Sequence, residues 1–151
     1  MKAISLWQPW ATLWLLSDPD EKVFETRGWY TPWRGPLLVH AAKKRDGEVR
    51  AALLDPFFCD RLAAHGLRPE DLVFGALIGQ VRLVDCQRMD RIAEPGERER
   101  RLGLWEPDRF AWRRAADPEI WRRPAPYRGS QGFFDVRESL EELKLRVLGL
   151  A

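Results

Sequence analysis

Short apolar runs and short stretches of alternation dominate the chain, and they predict a protein built mainly from strands. A nearly continuous apolar run at 37–42 predicts a buried central strand, and strands are also predicted at 2–6 and, from partial alternation, at 76–86. Residues 23–27 alternate between apolar and polar side chains, which is typical of a strand with two different faces. Further strands are predicted at 109–114 and 132–136.

Helices are predicted where apolar side chains crowd onto several faces or follow a helix start signal. Residues 10–16 are apolar almost all round, which predicts a buried helix, and Pro9 suits its first turn because no N–H is needed there. Residues 17–20 are predicted to end that helix. Residues 48–54 and 56–64 predict two short helices separated by a proline.

Three later segments complete the predicted architecture. Residues 139–148 predict a closing helix, residues 88–103 a mobile loop or exposed helix, and residues 124–129 a rigid extended linker. The inner side of the closing helix is predicted to hold Leu140, Leu143, Val147 and Leu148. The fold class is therefore predicted to be α+β and mainly β: a small β-barrel with short helices at its ends.

Length and composition favour a single domain over residues 1–151 that is cytoplasmic and monomeric. A hydrophobic content of 45% is enough for a core, and no run approaches the roughly 20 apolar residues of a membrane span. The amino-terminal residues lack the long apolar run of a signal peptide. Cys59 and Cys86 have no metal-ligand spacing, so we expect buried thiols rather than a disulfide or zinc pair, and no cofactor.

The net charge is only +2, but the positive charge is mostly arginine, with 20 Arg against 5 Lys. Eleven of these arginines lie between Arg88 and Arg128, where carboxylates offset most of their charge. An arginine-rich surface suits bidentate contacts with phosphate. The alternative is that arginine simply covers solvated faces.

Four pieces of sequence lie in one pattern across nearly the whole chain. They are ISLWQPWA at 4–11, KVFETR at 22–27 with Gly35 and a strand ending His40-Ala41, GALIG at 75–79, and YRGSQGF at 127–133. Together they resemble the ASCH domain, a PUA-like barrel family. The resemblance implies a barrel related to RNA-binding domains, with a cleft beside the first helix and the 22–27 strand. It implies RNA or a nucleoside as partner, and no membrane.

The resemblance also implies candidate catalytic residues. Some small bacterial ASCH proteins hydrolyse the amide of N4-acetylcytidine, and ribonuclease activity is also known in the family. Lys22 matches the family's lysine and would act as a base or as a cation for an oxyanion; the alternative is a solvated loop lysine. Glu25 stands where the amidohydrolases have threonine, Thr26 comes one position later, and the 76–86 strand lacks their glutamate. This departure favours binding, with hydrolysis as the alternative.

On the 22–27 strand, Arg27 would bind a phosphate or stack on a base, while Glu25 would accept a hydrogen bond from an exocyclic amine. The alternative is that Glu25 and Arg27 form a salt bridge with each other. Trp29, in a loop bordered by Arg27 and Arg34, is a stacking candidate, and Arg34 is a further candidate for nucleic-acid binding. Trp7 and Trp10 are expected in the core, with a stacking platform as the alternative. Gln8 would either read a base edge or cap the first helix.

A second group of candidates begins with His40, near the end of the buried strand at 37–42. His40 is expected to be a satisfied core histidine or, alternatively, to contact a phosphate. In the second case Lys43, Lys44, Tyr127 and Ser130 would contribute to the same contact. The central expectation is that Lys22 and Arg27 line one cleft whose aromatic wall holds a flat heterocycle.

Overall fold

A computed structural model describes residues 1–16 and 22–150 of the chain. Within these residues seven strands form one sheet: β1 (Lys2–Leu6), β2 (Phe24–Arg27), β3 (Gly35–Ala41), β4 (Ala76–Arg88), β5 (Phe110–Arg114), β6 (Glu119–Pro126) and β7 (Phe133–Asp135). The strand order is β2-β5-β4-β3-β1-β7, with β6 also paired to β4. No pairing among the described residues closes this sheet into a barrel.

The longest strand, β4, organises the sheet. One edge of β4 pairs antiparallel with β3. Its other edge is shared, because β6 pairs along residues 76–80 and β5 along residues 83–88. β1 lies parallel to β3, so the carboxyl ends of these two strands lie next to each other.

Five short helices cover the sheet: α1 (Trp10–Trp14), α2 (Gly47–Leu54), α3 (Pro56–Ala63), α4 (Glu97–Arg101) and α5 (Leu140–Val147) within the described residues. The start of α3 is set by Asp55, whose side chain accepts a hydrogen bond from the Phe57 amide at 2.9 Å, and by Pro56 in the first turn. The start of α5 is a capping box in which Ser139 and Glu142 bond each other's amides.

Three apolar clusters fill the space between the sheet and the helices. The largest surrounds the fully buried Trp14 and Trp112. The second joins α1 to α3 through contacts that include Leu13 and Leu62. The third holds α5 against the sheet through Leu143. Burying such side chains contributes roughly 1.5–3 kcal/mol each, which fixes the helices on the sheet.

At Gly79 the chain passes closer to its neighbours than any other side chain would allow. A Cβ atom at this position would lie 2.2 Å from the Glu119 carbonyl oxygen and 2.8 Å from Leu15 Cδ1. The close approach lets β6 pair with β4 at this point while α1 packs against the same strand.

The predicted α+β class with short helices is confirmed. Two details differ. The prediction of an extended linker at 124–129 is wrong in part, because residues up to Pro126 belong to β6. The prolines are tolerated there because β6 pairs along one edge only. Leu148 is 48% exposed rather than on the inner side of α5, because the helix ends at Val147.

In the segment at 88–103 the helix alternative is met in part, with additional structure around it. It contains a 3-10 turn at Met89–Arg91 and the helix α4, and Leu102 is fully buried in the second cluster. The predicted end of the first helix at 17–20 lies outside the described residues. Cys59 and Cys86 are both free thiols. No helix in residues 1–16 and 22–150 is long and apolar enough to cross a membrane.

Candidate functional site

A wide cleft of about 1180 Å³ opens beside α1, β2 and the ends of β1 and β3. Two loops complete its walls, one at 101–104 and one at 128–132. The lining residues include Ser5, Trp7, Trp10, Glu25, Thr26, Arg27, Trp29, His40, Lys43, Glu48, Arg101, Gly103, Leu104, Arg109, Arg128, Gly129 and Ser130. Five of these side chains are cationic and two are carboxylates, so the cleft carries a positive excess.

The 101–104 loop is fastened to β2 through Thr26. The Leu104 amide donates to Thr26 Oγ1 at 3.0 Å, and Arg109 donates to the carbonyl oxygens of Thr26 and Leu104. A Cβ at Gly103 would lie 2.7 Å from Thr26 Cγ2, so the loop fits here only as glycine. The Thr26 hydroxyl therefore has a structural partner within the wall of the cleft.

Lys22 lies behind this wall and does not line the cleft. Its side chain is fully buried, donates to the Phe24 carbonyl and lies 3.6 Å from Glu25 Oε1. Glu25, unlike Lys22, lines the cleft, and its Oε1 also accepts a hydrogen bond from the Thr26 amide at 2.9 Å. The possible Glu25–Arg27 salt bridge is therefore replaced by a buried Lys22–Glu25 pair.

Glu99 on α4 is a third member of this buried charged cluster. Its carboxylate accepts hydrogen bonds from the amides of Val23 and Phe24 at 3.2 and 3.1 Å. Burial raises the pKa of Glu99, while the charge of Lys22 and the two amides act in the opposite direction. The cluster joins α4 to the start of β2, and so it holds one side of the cleft in place.

Arg27 points into the cleft from the end of β2. It is half-buried, and within the described residues its guanidinium has no hydrogen-bond or ion-pair partner. Lys43 and Arg128 also line the cleft and are exposed, again with no such partner in the described part of the chain. By contrast, Arg101 lies over the Phe57 ring at 3.9 Å. Three cations of the cleft are thus available to an anionic ligand.

Aromatic side chains stand beside these cations. Trp29 lines the cleft and is held edge-on against Trp112, with ring centroids 4.6 Å apart, and against Phe133 at 5.3 Å. Trp7 is not in the core as expected: it is 41% exposed, and the Lys44 ammonium lies 4.9 Å from its ring centroid. Rigid aromatic walls of this kind can stack against a base.

Two of the predicted site residues lie elsewhere. Gln8 is fully buried, donates to the Val73 carbonyl and accepts from the Thr12 amide, both at 3.0 Å, so it caps α1. Arg34 is exposed outside the cleft lining, donates to the Thr31 carbonyl and lies 3.9 Å from Asp85.

The predicted group after β3 is brought together only in part. His40 lines the cleft but is 2% exposed, and its ring bonds Ser5 Oγ and the Tyr127 carbonyl. Ser130 is exposed in the cleft, whereas the Tyr127 ring stacks on Phe134 outside it. Lys44 pairs with Asp46 at 3.0 Å.

Sequence reasoning missed Ser5, Arg128 and the 101–104 loop as parts of the cleft. Ser5 was detectable, since a parallel pairing of the first and third strands places it beside His40. Nothing local in the sequence indicates that the 101–104 loop meets Thr26, because that contact spans 78 positions. The described residues contain no group of three or more metal-ligating side chains.

The chain is similar in sequence to part of a larger protein. The chain is 33% identical over 91 residues to activating signal cointegrator 1 of Mus musculus and 32% identical to that of Homo sapiens. Each alignment covers 60% of this chain and only 15% of the relative. No protein-family model matches the chain. These relatives contain an ASCH domain, which confirms the resemblance to ASCH domain proteins.

Two solved structures from Zymomonas mobilis align with nearly the whole chain. The ASCH protein is 14% identical, with a TM-score of 0.46, over 99% of this chain and 94% of the other. A tyrosine-to-phenylalanine mutant of that protein is 15% identical, with a TM-score of 0.49, over 99% and 96%.

Proposed function

We propose that this ASCH-like chain binds unstructured RNA, or a nucleoside with a modified base, in the cleft beside α1 and β2. The observation that carries the proposal is Arg27, a half-buried guanidinium in the cleft without an anionic partner among the described residues. A partly desolvated cation gains most from a phosphate, which it can grip with two hydrogen bonds.

The neighbouring side chains supply the other half of nucleotide recognition. Trp29 lies two positions after Arg27 and lines the same cleft, held edge-on by Trp112 and Phe133. Stacking of one base on such a ring contributes roughly 1–3 kcal/mol and accepts any base. Lys43 and Arg128 would contact further phosphates from the same cleft.

The size of the cleft favours a strand over a lone nucleoside. Its volume of about 1180 Å³ exceeds the range of about 300–1,000 Å³ typical of small-molecule pockets. An open trough with cations and aromatic rings along it is the usual arrangement for single-stranded nucleic acid.

A hydrolase, either a metal-independent ribonuclease or an N4-acetylcytidine amidohydrolase, is the weaker candidate. It would require Lys22, Glu25 and Thr26 to act on a bound substrate. Lys22 is fully buried and paired with Glu25, and the Thr26 hydroxyl is bonded to the Leu104 amide. These contacts favour a structural role for the three residues.

The test is a titration of a fluorescent, unstructured RNA of about twelve nucleotides at 50 and 200 mM salt. Three phosphate contacts give a logarithmic salt slope of roughly −2 for a single strand, so affinity should fall about twentyfold between the two conditions. Absence of binding at 50 mM salt would reject the proposal. Release of cytidine from N4-acetylcytidine in the presence of EDTA would instead support the amidohydrolase.

Arg27→Ala tests the site directly. Loss of one charge-assisted contact of roughly 1.5–3 kcal/mol should weaken RNA binding by about tenfold or more. Arg34→Ala is the matched control, since Arg34 is a nearby arginine outside the cleft, and it should bind RNA within about twofold of the wild type. Equal effects of the two substitutions would move the RNA site away from the cleft.

A further inference from the structure

Ser5 and His40 form a hydrogen-bonded pair at the floor of the cleft. The parallel register of β1 and β3 sets the two residues side by side. Ser5 Oγ lies 2.9 Å from His40 Nδ1, and His40 Nε2 lies 2.7 Å from the Tyr127 carbonyl oxygen. A hydroxyl, an imidazole and an orienting acceptor thus stand in one line, the arrangement of an activated nucleophile.

The contacts determine which nitrogen of His40 carries the proton. The Tyr127 carbonyl can only accept, so Nε2 must donate to it. Nδ1 then has a free lone pair, and the Ser5 hydroxyl donates to it. Burial lowers the pKa of His40, and the charge of Lys43 acts in the same direction, against the hydrogen bond to Tyr127. The ring is therefore a neutral base near pH 7.

The pair is covered on one side and open on the other. Gly129 lies against it so closely that a Cβ would be 2.6 Å from His40 Cε1 and 3.0 Å from Ser5 Oγ. His40 is buried by this contact, whereas Ser5 is only half-buried and lines the cleft. The reactive oxygen is accordingly the member of the pair that a molecule in the cleft can meet.

We propose that Ser5 is the nucleophile of an acyl-transfer site, with His40 as its general base and a small carboxylic ester as substrate. The Tyr127 carbonyl takes the part that a carboxylate plays in serine hydrolases, which is to orient the imidazole and hold its tautomer. The argument for this activity does not rest on the proposed RNA binding, although both would use the same cleft.

The reaction proceeds through an acyl-enzyme. Ser5 Oγ forms a bond to the ester carbonyl carbon while its proton passes to His40 Nδ1. The tetrahedral intermediate then expels the alcohol, which takes that proton from Nδ1. Water repeats the sequence on the acyl group, giving the carboxylic acid and restoring Ser5. Lys43 and Arg128 line the same cleft and supply positive charge for the oxyanion.

The wild-type protein provides the first test. With p-nitrophenyl acetate in excess we expect a burst of about one equivalent of p-nitrophenol followed by slow turnover. A fluorophosphonate probe should label Ser5, as read by peptide mapping. Ser130, exposed in the same cleft and with no histidine bonded to it in the described residues, is the internal control and should remain unlabelled. Equal labelling of both serines, or of neither, would overturn the proposal.

Variants then separate chemistry from folding. Ser5→Ala should abolish the burst while leaving the thermal midpoint close to wild type; a persisting burst would overturn the proposal. Ser139→Ala removes a serine at the cap of α5, far from any histidine contact shown for the cleft, and should keep the burst. The burst is measured without RNA and the RNA titration without ester, so that the failure of either proposal is recognised separately.

Discussion

Lys22 and Arg27 stand five positions apart at the two ends of the same strand segment, and their surroundings are opposite. Lys22 is fully buried among Glu25, Glu99 and a backbone carbonyl. Arg27 faces an open cleft with no partner in the part of the chain that the structure describes. The expectation that both cations line one cleft is thus met by Arg27 alone.

A single sequence motif can therefore carry one charge that stabilises the fold and one that is open to a ligand. A buried, paired cation stabilises the fold, because its removal leaves the partner carboxylates buried without a compensating charge. An unpaired cation in a cleft contributes little to stability and is free to serve a ligand.

Lys22→Met should have the largest effect. It leaves the Glu25 carboxylate without its cation in a dry site, and it removes one of the two cations, Lys22 and Arg114, that act on Glu99. Breaking such a buried pair costs about 3–5 kcal/mol. The measurement is the free energy of unfolding from urea denaturation. Lys43→Met, which removes an exposed lysine of the cleft, is the control and should stay within about 0.5 kcal/mol of wild type. Similar losses for both would abolish the distinction drawn here.

Glu99→Gln in the Lys22→Met background should restore part of that stability. The glutamine keeps an oxygen that can accept from one of the two amides that Glu99 now binds, and it removes one unpaired charge. A double-mutant cycle should give a coupling of about 0.5–3 kcal/mol between positions 22 and 99. Strict additivity would mean that Lys22 does not neutralise Glu99.

The pH dependence of stability should reveal His40 as a smaller effect. Its pKa is lowered from 6.5 by burial, so the unfolded chain binds the proton more readily than the folded protein. The stability contributed by the neutral ring is therefore complete above pH 6.5 and is lost as pH falls from 6.5 toward the lowered value. The slope for one proton is at most about 1.4 kcal/mol per pH unit.

The comparison for this effect is a His40→Asn variant measured over the same pH range. Its stability should fall less steeply below pH 6.5, since the remaining ionisable groups are common to both proteins. Parallel curves would show that His40 has the same proton affinity in the folded and unfolded states.

Much of the architecture could be predicted from local patterns. The apolar runs correspond to β1, β3 and β4, and Pro56 marks the start of α3. The strand β6 was misread because prolines usually interrupt a sheet, and only its position on one edge of β4 makes them acceptable. Pattern reasoning therefore succeeded wherever one segment carried its own signal.

The site was less predictable because its decisive contacts are distant in sequence. The burial of Lys22 depends on Glu99, whose carboxylate reaches the Val23 amide across 76 positions. His40 likewise meets the Tyr127 carbonyl 87 positions away. Charge type and spacing indicate which residues are unusual, but not whether a carboxylate from another element neutralises them.

Gly79, where β6 and α1 both approach β4, has a practical consequence for genetic screens. A Cβ atom at this position would lie 2.2 Å from the Glu119 carbonyl oxygen. Gly79 does not line the cleft and is distant in sequence from Arg27. A library that covers the whole gene should thus lose every substitution at this codon through misfolding alone. Survival at that codon calibrates the assay, so that depletion at position 27 can be interpreted as lost recognition.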